Sequence, residues 1–350
     1  MAQCIVPTGG RSVRLAEAPP PVAVRSGARC RALYSLISPG TERHQIENAA
    51  GKSEAEIAAS GARLGYCGAG IVEELYGDNT GLQPGDTVAY YGSPYVSHAS
   101  ELIVPKPLVK KIPDGLPAEQ AAFIGLAAIA LHGVRQARPT IGDKVLVTGL
   151  GVIGNFCAQL AALSGCRVIA TDRHPGRVAL LEECTAPGLP NLRAVPYDSF
   201  HELARETGKD TAGNDAAIVC VSSDSSEPIR ELLPLLRPGS RIVAAGLMDL
   251  SFPRDDFFAK EFEFTVSRAA GPGRYDPSYE ADGVDYPVQY VRWTEGHNLA
   301  EVLNLLAEGR LLAGPMVSAV YPLGGIEEAY RAVFEDPSQT GILIDWTRTK

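Results

Sequence analysis

Apolar positions follow two different patterns along the chain. From residue 1 to about 120, short strand-like runs such as Ala69-Gly-Ile-Val-Glu-Glu-Leu75 and Asp86-Thr-Val-Ala-Tyr-Tyr91 are separated by turn signals. Those signals include Gln83-Pro-Gly-Asp86 and Pro113-Asp-Gly115, which punctuate a β-rich region. Within it, a polar, alanine-rich piece between Arg43 and Arg63 predicts helix, as does Pro117–Ala137. Pro117 and Glu119 suit a helix start through ring geometry and dipole.

From Lys144 the pattern alternates between strand and helix. Strands are expected at 144–149, 167–172, 192–197, 215–221, 241–246 and 263–267, and helices at 152–164, 174–184, 199–207 and 227–236. Leu236-Arg-Pro-Gly-Ser240 reads as a stop before the fifth strand. Six strands with intervening helices predict an α/β fold with a doubly wound parallel sheet. Beyond residue 268 a polar, aromatic loop is expected. It leads to a helix at Asn298–Glu308, a strand at Val317–Tyr321, a helix at Gly325–Phe334 and a strand at Gly341–Trp346. The last segment is expected to return to the first region. The resulting division is 1–120 with 298–350, then 121–268, with 269–297 as a loop at a substrate pocket or subunit contact.

One stretch organises the second region. Lys144-Val-Leu-Val-Thr runs into Gly149, Gly151 and Gly154, spaced G-x-G-x-x-G, and an apolar helical run follows. A second strand ends at Asp172, 18 residues after the last glycine. The first glycine permits a tight turn, the second lets a pyrophosphate approach the backbone, and the third packs helix on strand. The helix start, Val152 and Ile153, presents its positive end to an anion. Asp172 suits a ribose hydroxyl, which favours NAD over the 2′-phosphate of NADP. Arg173 and Arg177 leave NADP open. Further cofactor contacts are expected where strands end, at Val221, Ser222, Gly246 and Leu247.

Composition narrows the field. The chain has 350 residues, 45% hydrophobic and 21% charged, which suits a two-domain globular protein. Its net charge is 32 − 41 = −9, and no basic block stands out, which argues against nucleic acid. The longest apolar stretch, near Ala121–Leu131, falls short of the roughly 20 residues of a membrane span. No secretory signal is visible. Seven cysteines are dispersed without a C-x-x-C pair, so reduced thiols and a cytoplasmic location are expected.

The chain resembles the medium-chain dehydrogenase/reductase superfamily, which pairs a GroES-like β-rich domain with a Rossmann domain. The marks are Gly65-Tyr-Cys-Gly-Ala-Gly-Ile-Val72, Leu82-Gln-Pro-Gly-Asp-Thr-Val88, the glycine stretch, and Leu236-Arg-Pro-Gly-Ser-Arg-Ile-Val243. Leu36-Ile-Ser-Pro-Gly-Thr-Glu42 and Gly271–Glu295 are similar to a zinc-free branch of alcohol-dehydrogenase-like proteins. That branch includes threonine-dehydrogenase-like and bacteriochlorophyllide-dehydrogenase-like members. The resemblance implies an oxidoreductase that is a dimer or tetramer, with dimer expected here. Zinc relatives carry cysteine where this chain has Ser38 or its neighbour, His-Glu where it has Tyr66-Cys67, and a third ligand near Leu126. A catalytic zinc takes about three protein ligands, so no metal is expected.

The vacated positions face the nicotinamide by family geometry. Tyr66 is the first candidate as proton donor, with an aromatic that merely fills the void as the alternative. Thr41 aligns with the hydroxyl that relays protons in zinc relatives, with a buried capping threonine as the alternative. Glu42 is a base or a loop anchor. His98 reads as a structural histidine. In the aromatic loop, Arg274, Tyr275, Arg292 and Trp293 suit a hydroxylated, sugar-like or anionic small molecule. The same residue types dominate subunit contacts. Three activities stand: oxidation of a secondary alcohol or reduction of its ketone, reduction of an enone or quinone, and cofactor binding without turnover.

Overall fold

The two patterns fold into two units in the computed structural model, which describes residues 2–78, 81–185 and 188–349. One unit comprises Met1–Leu126, Pro272–Glu308 and Met316–Lys350, and the other Ala127–Gly271 and Gly309–Pro315. The polar aromatic segment therefore falls largely within the first unit.

Strands of the second unit are near-continuous apolar runs because the sheet is buried on both faces. All five positions of Lys144–Thr148 are buried. This first strand lies between the second, Arg167–Asp172, and the fourth, Asn214–Val219, and every pairing in the six-stranded sheet is parallel. The spatial order is third, second, first, fourth, fifth, sixth. This is the doubly wound order, and its direction reverses between the first and fourth strands. Helices Val152–Leu163, Pro175–Cys184 and Tyr197–Gly208 occupy the expected places.

One expected boundary is corrected. Leu236–Ser240 is no stop but the beginning of the fifth strand, Leu236–Ala244. The strand tolerates Pro238 and Gly239 because its pairing skips there: Asn214 faces Leu236, and Ala216 faces Arg241. The helix expected over 227–236 shrinks to Glu227–Arg230 and a 3₁₀ turn at Leu233–Leu235. Pro234 has no N–H with which to continue the ladder. The helix expected over 117–137 is likewise two pieces, Ala118–Ala121 and Ile124–Ala137.

In the first unit the central strand is Gly27–Leu36. It pairs antiparallel with Cys67–Tyr76, Glu101–Pro105 and Gly341–Asp345. Leu343 faces Leu36, so the C-terminal segment does return to the first region. Its helix, Ile326–Glu335, contributes Ile326 and Tyr330 to a core with Ile5, Ile37, Ile46 and Leu64. Among the described residues no helix is long and apolar enough to cross a membrane.

Candidate functional site

The glycine turn in the second unit is built almost wholly from backbone. Gly149 has φ +85, and a Cβ there would lie 2.7 Å from Val221 Cγ1 and 2.9 Å from the Cys220–Val221 peptide. A Cβ on Gly246 would sit 1.9 Å from the Val221 carbonyl oxygen, and one on Gly154 would sit 1.7 Å from that of Gly149. Gly149, Val221, Gly246 and Gly154 therefore form one tight cluster where the first, fourth and fifth strands end. Gly151 differs, because a Cβ there meets nothing within 4 Å. It caps the helix Val152–Leu163 and leaves an open cradle beside the helix N-terminus, where an anionic diphosphate fits.

Asp172 is tied into this turn. Its Oδ2 accepts the Leu150 N–H at 2.7 Å and its Oδ1 the His174 N–H at 2.8 Å. Arg177 Nη1 lies 3.3 Å from Oδ2. Arg173 turns away, with its guanidinium 5.1 Å over the Tyr197 ring and 3.8 Å from Glu231. Ser222 and Leu247 are exposed. These groups fit a nicotinamide dinucleotide. Glycines, helix end and acid are all present in the required order.

In the first unit, Tyr66 donates its phenol hydrogen to Ser38 Oγ at 2.6 Å. Thr41 also hydrogen-bonds the phenol. Burial pushes the Tyr66 pKa above the ordinary phenol value, while the Ser38 and Thr41 bonds pull the other way. The phenol is therefore fully protonated at neutral pH. Cys67 is buried, and burial with the nearby Glu42 charge holds its thiol well above the usual range. The thiol donates to the Leu36 carbonyl.

Glu42 is fully buried. Oε1 accepts the Ser38 N–H at 2.7 Å, and Oε2 accepts from Tyr330 O–H and lies 3.0 Å from His98 Nε2. Both oxygens are committed, so of the two roles expected for Glu42 the geometry is that of an anchor. His98 lies on Ser35 through Nδ1 at 2.7 Å, as a satisfied structural histidine does.

A catalytic zinc takes about three protein ligands. Ser38 is engaged by Tyr66, Cys67 stays a thiol, and Leu126 is apolar. Among the described residues no group of three His, Cys, Asp or Glu side chains converges on one point. These residues do not fit that metal.

In the aromatic segment Arg274 turns inward. Arg274 is 6% exposed. Its guanidinium donates to Glu280 Oε1 and to the Ser93 carbonyl, while Nε meets no partner, so the group is anchored inside the protein rather than presented at the surface. Tyr275 is 57% exposed, has φ +67, and is held by its N–H on Glu280 Oε1 at 3.0 Å. Its ring lies 4.0 Å from the Arg274 guanidinium, which also sits 5.6 Å over Tyr91. Tyr91 meets Tyr66 edge-on at 5.9 Å. Arg292 lies 3.8 Å over the Trp293 ring.

Sequence reading missed Glu295 here. It is fully buried and neither carboxyl oxygen meets a donor group of the protein. The Glu280 carboxyl lies near it. Burial, and then the Glu280 charge, raise its pKa to about 8. Lys110, lowered to about 8 by burial, is its cationic neighbour along with Arg274. No motif marked Glu295, since its isolation depends on its surroundings.

The sheet order, glycine turn and terminal acid of the second unit are those of a dinucleotide-binding α/β domain, and the first unit is β-rich. Residues 152–281 match a family model described as zinc-binding dehydrogenase. That span excludes Ser38, Tyr66, Cys67 and Leu126. Among curated proteins, the chain is 29% identical over 219 residues to L-galactonate-5-dehydrogenase of Escherichia coli (strain K12), covering 62% of this chain and 56% of that one. It is 24% identical over 238 residues to D-xylulose reductase A of Aspergillus oryzae, covering 67% and 59%. The chain thus spans less than two thirds of the length of these two relatives. Among solved structures, 2R,3R-butanediol dehydrogenase from Bacillus subtilis shares the fold at a TM-score of 0.73 and 17% identity, covering 99% of this chain and 100% of that one. The chain is thus similar to zinc-binding dehydrogenases over residues 152–281 and shares the fold of an alcohol-dehydrogenase-like structure over nearly its whole length.

Proposed function

We propose that the protein is an NAD(P)-dependent oxidoreductase acting, without zinc, on a secondary alcohol or ketone of a polyol or sugar acid. The observation that carries this is the Tyr66–Ser38 hydrogen bond, flanked by Thr41, at positions where the resemblance puts metal ligands. The relatives' names support the substrate class, and Asp172 supports NAD as the preferred dinucleotide.

When bound, the dinucleotide supplies or accepts the hydride. Tyr66 handles the proton. In the reducing direction its phenol transfers a proton to the substrate oxygen as the carbonyl carbon gains hydride. An alkoxide is a far stronger base than a phenolate, so the transfer runs downhill despite the raised phenol pKa. Ser38 and Thr41 donate hydrogen bonds to the phenolate that forms, and a proton taken up from solvent restores the phenol. In the oxidising direction the same groups run in reverse. One positioned acid contributes about 10²–10⁴-fold, or roughly 3–5.5 kcal/mol, comparable to the several kcal/mol a Lewis acid supplies. Tyr275, exposed beside Arg274, is the aromatic wall for the substrate.

The test is turnover of a panel containing xylitol, L-galactonate and 2R,3R-butanediol with NAD and NADP, in the presence of a chelator. Deuterium from labelled reduced cofactor is expected at a carbinol carbon. Its appearance on a β-carbon of an enone would replace this reading with the reductase one. About one zinc per chain by metal analysis would overturn zinc independence. The proposal includes a homodimer, since Val284, Val288 and Tyr290 leave apolar surface exposed; a monomer by light scattering removes that part.

A further inference from the structure

Both ends of the Tyr66–Ser38 hydrogen bond lead back to one buried histidine. On the Tyr66 side, the His98 backbone N–H donates to the Leu64 carbonyl at 2.7 Å. Its ring lies against Gly65, where φ is +81 and an added Cβ would sit 2.6 Å from three ring atoms. Gly65 immediately precedes Tyr66, so the ring and the N–H together fix the backbone from which the phenol projects. On the Ser38 side, His98 Nε2 meets Glu42 Oε2 at 3.0 Å, and Glu42 Oε1 holds the Ser38 N–H at 2.7 Å.

The histidine is itself held on every side. Trp346 Nε1 can only donate, and it donates to Ser35 Oγ at 2.8 Å. Ser35 Oγ lies 2.7 Å from His98 Nδ1. Tyr330 donates to Glu42 Oε2 and meets the His98 ring edge-on at 6.4 Å. The set closes when Ser35 donates to Nδ1 and Nε2–H donates to the carboxylate. His98 and Glu42 are each 0% exposed, so no water competes for these bonds.

We infer that His98 is a positioning residue that sets the Tyr66–Ser38 hydrogen bond from both ends, through Gly65 and through Glu42. Its catalytic meaning rests on the reading of Tyr66 as proton donor, but its geometry is testable without turnover.

The experiment places 3-fluorotyrosine at position 66 and follows its ¹⁹F resonance and titration midpoint in the full chain. The variants are His98→Gln, His98→Asn and Glu42→Gln. Glutamine at 98 brings an amide N–H close to the place of Nε2, whereas asparagine falls short. Glutamine at 42 swaps one acceptor for a donor and leaves a donor facing it unpaired. With the circular dichroism spectrum retained, His98→Gln is expected to keep the wild-type resonance. His98→Asn and Glu42→Gln shift it, and their midpoint falls toward that of a solvated fluorophenol. On the substrate panel, His98→Asn lowers kcat up to about 100-fold, the scale of a small misplacement, with cofactor Kd unchanged and His98→Gln restoring most of it. An unchanged resonance and midpoint in a folded His98→Asn overturns the inference. If that variant does not fold, an unchanged resonance in Glu42→Gln overturns it equally. Normal turnover in Tyr66→Phe would remove the proton-donor reading and leave the positioning result standing.

Discussion

The glycine turn and the Tyr66 network are built in opposite ways. The turn is made of backbone, residues 149–154 backed by Val221 and Gly246, and its glycines are defined by the Cβ atoms they lack. The network is made of side chains drawn from residues 35, 38, 42, 66, 98, 330 and 346. A backbone site tolerates changes of side chain around it but no added atom. A side-chain site tolerates added atoms at its rim but no lost hydrogen bond.

The largest test of this contrast is Tyr66→Phe. Removing one hydroxyl is expected to lower kcat about 10²–10⁴-fold while the unfolding midpoint moves little, measured by steady-state kinetics and thermal unfolding. Next is Gly154→Ala. Its Cβ would lie 1.7 Å from the Gly149 carbonyl oxygen, so overpacking of about 3 kcal/mol is expected in urea unfolding. Gly151→Ala sharpens the comparison, because its Cβ meets nothing. Stability should change by less than about 1 kcal/mol, while NADH affinity, followed by nicotinamide fluorescence, falls roughly tenfold or more as the methyl enters the cradle.

Glu295→Gln asks whether a buried acid behaves like the rest of its unit. The Glu295 pKa is raised from 4.5 to about 8, so the folded protein holds a proton there that the unfolded chain releases. The associated stability is present below pH 4.5 and is lost as pH rises through about 8. Lys110, lowered to about 8, acts with the opposite sign above that pH. The wild-type thermal midpoint should therefore fall between pH 5 and 8 by on the order of several degrees, and the Glu295→Gln curve should be flatter. Parallel curves would mean that folding does not raise the Glu295 pKa. The smallest effect is expected at Arg292→Ala. An exposed cation–π pair contributes about 0.5–1 kcal/mol, and turnover should be unchanged.

The same contrast explains what could be read beforehand. Gly149, Gly151, Gly154 and Asp172 announced themselves because one strand, one turn and one helix impose their spacing. The fifth strand was misplaced at its start, since Pro238 and Gly239 signal a turn unless a skipped pairing accommodates them. Arg274 was legible as a guanidinium but not as a buried one. Its partners lie 6 and 181 positions away, and no local pattern connects it to Ser93. Glu295 was invisible for the same reason.

The return of residues 317–346 to the first sheet has a consequence for how the protein is made. A ribosome delivers residues 127–271, nearly the whole of the second unit, in one uninterrupted stretch, and that sheet can assemble as it emerges. The first sheet cannot. Its central strand, Gly27–Leu36, is synthesised early but waits for Gly341–Asp345 to cover its edge, and Glu42 and Ser35 wait for Tyr330 and Trp346. Nascent chains arrested near residue 300 should therefore protect the glycine turn from protease while leaving the Tyr66 region open to cleavage.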